Sequence, residues 1–129
     1  MREYLFRGKN KHANEWVEGS LFVPTRGGDV CIMTQDAPFH AVCYDVIPDT
    51  VGQFTGLMDK NGERIFEGDV LEGNDFDADD GYGVVEWNDG AFEINNHYVS
   101  ATFRENYWST DLEIIGNIHD NPELVERVV

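Results

Sequence analysis

The residues best spaced for chemistry lie between Asp75 and Glu86. With Asp75 as the first place, carboxylates fall at the first, third and fifth places (Asp75, Asp77, Asp79), and Glu86 falls at the twelfth. A helix-loop-helix calcium site draws oxygen ligands from those places, because a hard divalent cation needs several oxygens at once. The sixth place of such a loop is glycine, for the sharp turn. Here it is Asp80, with Gly81 one residue late. The flanks read as strands, and Glu86 sits in a strand run beside Trp87. The helix-loop-helix form is therefore not expected. A looser calcium loop is the cofactor hypothesis that survives. Against it stands the ordinary state of a like-charged run, a solvated acidic loop that binds no cofactor.

Other constellations converge less. Cys31, His40 and Cys43 could give a soft metal three ligands, with His12 or His97 as a fourth. Their spacing matches no ribbon or finger pattern, and structural cysteines in apolar surroundings are the commoner case. Ser20, Ser100 and Ser109 stand in no nucleophile-elbow pattern. Gly27-Gly28 lacks the helix and lysine of a phosphate-cradling loop. With 25 Asp and Glu in the chain, almost any two could pair for acid/base work, so such a pair carries no information. No catalytic residue is assigned, and the chain is read as leaning away from an enzyme.

The elements that must position these residues are short strands. Aromatic residues make up 12% of the chain and there are 13 glycines, which favours strands and turns over helices. Strands are expected over residues 4–8, 16–23, 30–33, 41–47 and 51–57, the first ending at a turn at Gly8 and the second stopped by Pro24. In the stretch 51–57, Gly52, Phe54 and Gly56 share one face, leaving open backbone that another segment can approach. Asn61-Gly62 and Asp89-Gly90 each read as the turn of a β-hairpin, with positive φ at both central residues. Gly68-Asp69 breaks the return strand of the first. A last apolar run covers 112–118. Asn121-Pro122 then has the form of a helix start, with Asn121 as cap and Pro122 in first position. The expected fold class is mainly β, a small barrel or sandwich with a short C-terminal helix, and α+β is the alternative. At 129 residues this is one domain, with subdomains 1–58 and 59–129.

Charge bounds the partners. Twenty-five acidic residues against nine Lys and Arg give a net charge of −16. That disfavours direct nucleic-acid binding and anionic membrane surfaces. It permits three other things: solubility, a basic protein partner, or divalent cations. No stretch approaches the roughly 20 apolar residues of a membrane helix. Two cysteines make no disulfide framework, and Met1-Arg2-Glu3 leads into no apolar leader. The expected compartment is a reducing cytoplasm with both thiols free.

Taken in order, MREYLFRGKN, EWVEGSL, VIPDTVGQFTGLMDKNGERIFEGDVL, GVVEWNDGAFEI and IIGNIHDNPEL resemble the YopX family of phage and prophage proteins over nearly the whole chain. The most specific positions are Gly52, Gln53, Thr55, Gly56, Asn61, Gly62, Gly68, Asp69, Gly116, Asn117, Asn121 and Pro122. The resemblance implies an element-borne protein acting in the cytoplasm of a bacterial host. It also implies a largely β fold whose second half is SH3-like and packs with a β-rich N-terminal half. It brings no assigned reaction, so no catalytic residue is carried over. The motif positions are of the kind a fold needs, for turns and ladders. The leading expectation is a non-enzymatic accessory protein that binds a protein partner or its own copies. Trp16, Trp87, Phe92, Tyr107 and Trp108 are candidates for core or interface. One alternative is an acidic DNA mimic that occupies a host DNA-binding protein, although the densest carboxylates fall in one loop and not in a stripe. Another is a calcium-dependent module on the Asp75–Glu86 loop. That last reading predicts a Tm raised by millimolar calcium and restored by EDTA. A melting curve that calcium leaves unmoved removes it.

Overall fold

Period-two alternation builds most of the chain into strands. The computed structural model describes residues 4–73, 82–88, 90–95, 100–102 and 112–124. Its strands are β1 (Phe6–Lys9), β2 (Trp16–Phe22), β3 (Cys31–Ala37), β4 (His40–Asp45), β5 (Gly52–Met58), β6 (Arg64–Phe66), β7 (Asp69–Gly73), β8 (Tyr82–Asn88), β9 (Ala91–Asn95), β10 (Ser100–Thr102) and β11 (Leu112–Asn117). A single 3-10 turn covers Pro48–Thr50, and residues 122–124 form one helical turn. The expected mainly β class holds. The strands make two antiparallel sheets, in the orders β4-β3-β2-β1-β5-β6 and β10-β9-β8-β7-β11. Among the described residues no pairing of β10 with β11 closes the second sheet. The chain divides into two compact units, Met1–Phe54 and Thr55–Val129, so β5 begins in one and ends in the other.

In the first unit the registers separate two faces. Pairing of Phe6 with Gly19, Leu21 with Ile32 and Ile32 with Tyr44 puts these residues on one face, with Ile32 fully buried. Pairing of Lys9 with Trp16, Ser20 with Met33, Phe22 with Cys31 and Met33 with Cys43 puts those on the other. The expected turn at Gly8 is not there. Gly8 lies inside β1 opposite Val17, and a Cβ on it would stand 2.9 Å from Val46 Cβ and 3.2 Å from Ile32 Cδ1. The glycine serves close packing inside a strand, which the chain pattern alone reads as a break. The strand expected over 30–33 runs on to Ala37 in β3, with a bulge between Gln35 and Ala37, and a turn follows at residues 38 and 39.

In the second unit β7 lies between β8 and β11 and is buried on both sides. Adjacent strand residues face opposite ways. Leu71 packs with Ile65, Val85, Ile94 and Leu112. Val70 packs with Val84, flanked by Tyr82, Ile115, Ile118 and Leu124. Fully burying each such side chain stabilises by roughly 1.5–3 kcal/mol.

Both expected hairpins form, with one change of loop. Asn88 pairs with Ala91, leaving a two-residue connection that ends at Gly90, whose φ is 83°. The Asn61-Gly62 turn is longer than expected, because Gly62 takes positive φ (80°) while Asn61 does not. Asp59 N–H donates to Glu63 O at 2.8 Å, and Gly62 N–H donates to Asp59 O at 3.0 Å. That is a three-residue loop, a type I turn followed by a left-handed glycine. At the C-terminal end Pro122 opens the helical turn as expected, but Asn121 does not act as its side-chain cap. Its Oδ1 accepts the N–H of Asn117 at 3.2 Å, occupying the space where Gly116 would carry a Cβ.

Two substitutions test this packing in denaturant unfolding. Leu71→Ala is expected to cost about 2–5 kcal/mol by leaving a cavity. Gly8→Ala is expected to cost about 1–3 kcal/mol by overpacking against Val46. A Gly8→Ala chain as stable as the parent would remove the close approach of β1.

Candidate functional site

The motif residues gather mostly in the second unit, where they hold turns. Asp59 is 6% exposed and accepts three backbone N–H groups. Its Oδ1 takes those of Asn61 and Glu63, each at 2.9 Å, and its Oδ2 takes that of Ile114 at 3.1 Å. Asp69 is 1% exposed, and its Oδ2 accepts Phe66 N–H at 2.7 Å across the turn that Gly68 makes with φ 92°. Thr55 Oγ1 donates to Ile65 O at 2.9 Å and accepts Leu57 N–H at 3.2 Å. Gly52 and Gln53 pair with Arg7 and Phe6 in the first unit. Gly56 takes φ 91° with nothing within 4 Å of a would-be Cβ, so it serves backbone shape and not the close approach expected of that face. Asn117 Oδ1 accepts the N–H groups of His119 and Asp120 at 3.0 and 2.9 Å. Asp59 was not singled out in the sequence. The signal was its place at the head of the Asp-Lys-Asn-Gly turn, where a carboxylate bonds the backbone two residues on.

The calcium candidates divide. Asp75, Asp77 and Asp79 lie outside the described residues. Glu86 stands on β8 directly opposite Glu93 on β9. Its Oε2 accepts the amide Nδ2 of Asn95 at 2.6 Å and of Asn88 at 3.2 Å, and Asn88 also donates to Glu93 Oε2 at 3.4 Å. Cys31 and Cys43 share one face of the first sheet, while strand alternation turns His40 to the other. His12 instead approaches Asp45 at 3.9 Å, and His97 lies outside the described residues. Among the described residues no group of three or more His, Cys, Asp or Glu is placed to hold a metal ion.

What the structure assembles is an open sheet face in the first unit. On it the guanidinium of Arg7 lies 4.6 Å and the ammonium of Lys9 5.7 Å from the Trp16 ring centroid. Such stacking contributes on the order of 0.5–2 kcal/mol. Further along, Phe22 is 57% and Met33 42% exposed. Beside it Lys11 Nζ donates to Asp29 Oδ1 at 2.7 Å. That hydrogen bond and charge lower the Asp29 pKa and raise that of Lys11. The pair therefore helps the fold between its two titrations. Its contribution fades at acid pH as Asp29 protonates and at alkaline pH as Lys11 loses its proton. Both side chains are exposed, so the effect is small. Trp87, half-exposed, packs edge-on to Phe92 with centroids 4.8 Å apart.

Charge is divided between the units. Residues 1–54 carry five of the nine Lys and Arg and seven of the 25 acids, a net of −2. Residues 55–129 carry four and eighteen, a net of −14.

Two antiparallel sheets, a turn-holding set of buried carboxylates and an open mixed face define an all-β protein with motifs that serve its turns. The chain belongs to the YopX family, whose model, described as YopX protein, matches residues 5–126. Among solved structures it is similar in fold to the crystal structure of protein EF1440 from Enterococcus faecalis. The TM-score is 0.61 and the identity 23%, over 97% of this chain and 99% of that one. Comparison with the curated proteins gives no match. Among the described residues no helix is long and apolar enough to cross a membrane.

If Asp59 holds the hairpin to β11, Asp59→Ala leaves three N–H donors without their acceptor. Unfolding free energy is expected to fall by roughly 1–3 kcal/mol or more, while Glu86→Gln on the exposed surface changes it little. Equal effects in the two variants would remove the anchoring role.

Proposed function

We propose that the protein is a phage or prophage accessory protein, acting in the bacterial cytoplasm as a non-enzymatic protein-binding module. The observation that carries this reading is the open face of the first sheet. Phe22 and Met33 are exposed there, with Trp16 and its two cations further along the same face. Aromatic and Met side chains with an Arg nearby are the composition of an interface centre. The partner's matching surface is apolar with carboxylates at its rim, supplied by another protein or by a second copy. The buried carboxylates, by contrast, are occupied with backbone N–H groups and offer nothing to a substrate. The second unit is read as SH3-like.

The charge of the second unit supports a second reading. A net of −14 within residues 55–129 suits an acidic DNA mimic that occupies a basic host protein, and the loop 74–80 could add a calcium-dependent contact.

Retention from host lysate separates these readings. On the leading reading, Phe22→Ser with Met33→Ser abolishes capture of the partner, or self-association in sedimentation, while Tm stays unchanged. On the mimic reading the same variant still retains basic DNA-binding proteins, and added salt releases them. Retention that neither the variant nor salt disturbs removes both.

A further inference from the structure

Cys31 and Cys43 come together through strand pairing. The β3–β4 register sets Met33 opposite Cys43 and Cys31 opposite Asp45, so the two cysteines are diagonal neighbours on the open face. Their side chains are in hydrogen-bond contact, yet both are free thiols, with Cys43 exposed and Cys31 half-buried. We propose that Cys31 and Cys43 form a dithiol site for a low-molecular-weight disulfide, closing an intrachain bond between β3 and β4.

The chemistry needs an order of attack, and the surroundings supply it. Burial and the neighbouring Cys43 hold the Cys31 thiol above its ordinary range, which keeps it protonated. The exposed Cys43 is the first nucleophile. Its thiolate attacks one sulfur of the incoming disulfide, forms a mixed disulfide and expels one thiolate. Cys31, in contact with it, then loses its proton and attacks Cys43 Sγ. The protein Sγ–Sγ bond forms and the second small thiolate leaves. Two protons and two electrons pass from the cysteines to the reagent, which ends as two thiols.

Geometry sets the character of the bond. Diagonal Cα atoms lie about 7–8 Å apart, while disulfides span about 4.4–6.8 Å, so closure draws the strands together by on the order of an ångström. β4 is the edge of its sheet and pairs with β3 along one side, so it can shift toward β3 at Cys43, although Lys11 N–H holds Asp45 O at its end. A bond made against that displacement is easily reduced, which suits reversible closure more than a permanent staple.

The test uses the full chain in glutathione buffers of increasing oxidised fraction, quenched and alkylated before intact-mass measurement. The expected product is a monomer lighter by two hydrogens, carrying no glutathione and no alkyl group, and reverting fully with a reduced dithiol. Cys31→Ser is expected to stop at a glutathione adduct on Cys43. Cys43→Ser is expected to react several-fold more slowly. Both substitutions fall on the sheet's open side and are checked for unchanged melting. The proposal is overturned if the parent chain accumulates stable glutathione adducts or disulfide-linked dimers in place of the closed monomer.

Discussion

The second unit depends on one buried carboxylate. A loop of three residues leaves N–H groups pointing inward with no strand to receive them, and such groups are costly when dry. Asp59 receives two of them and extends its other oxygen to Ile114, 55 positions along the chain. Lys60 N–H donating to Leu112 O at 2.8 Å repeats the link between the same two segments. The hairpin is thereby fixed against β11, and with it the side of β7 on which Leu71 meets Ile65 and Leu112. Asp69 does the same work at the next turn, and Gly68 passes its own N–H to Val85 O while receiving that of Ile118. Local turn bonds and long-range strand placement are one network here, which is why Asp59 and Asp69 are buried.

The two units differ in what they leave over. β7 and β8 bury both faces, so Val70 and Leu71, and Val84 and Val85, are all withdrawn from water. The first sheet buries Ile32 and Val46 on one side and leaves Phe22 and Met33 accessible on the other. A one-sided sheet shows alternation, and alternation is what carries apolar side chains to the surface when the outward positions are not polar. An interface reading therefore belongs to the first unit, and the family motif, concentrated in the second, speaks to stability.

Much of this was legible in the sequence, and the failures share a cause. Strand existence, both hairpins and the mainly β class follow from period two and from Asn-Gly and Asp-Gly. Gly8 was misread because a glycine that admits Val46 looks the same in one dimension as a glycine that turns the chain. Asn61 was assigned positive φ because the sequence does not show that Asp59 would receive its N–H and favour the longer loop. Asn121 was given a capping role that its side chain spends instead on Asn117. The open face could not be read at all. Phe22, Met33 and Cys43 lie on three strands, and only their register makes them neighbours.

Charge placement supplies the last constraint. Glu86 and Glu93 stand directly opposed across β8 and β9, an arrangement that costs a few tenths of a kcal/mol to about one. It persists because Asn88 and Asn95 turn their amide donors onto the carboxylates. Glu113 is likewise held, by Lys60 Nζ at 3.2 Å and Asn61 Nδ2 at 3.4 Å. Glu86, Glu93, Glu113 and Asp120 are thus each held by a side-chain amide or ammonium from within the chain. Carboxylates held in one direction in this way make a poor imitation of a phosphate row, whose charges stand evenly spaced and open to solvent. Net charge alone therefore says less about a DNA-like surface than the hydrogen bonds of these acids do.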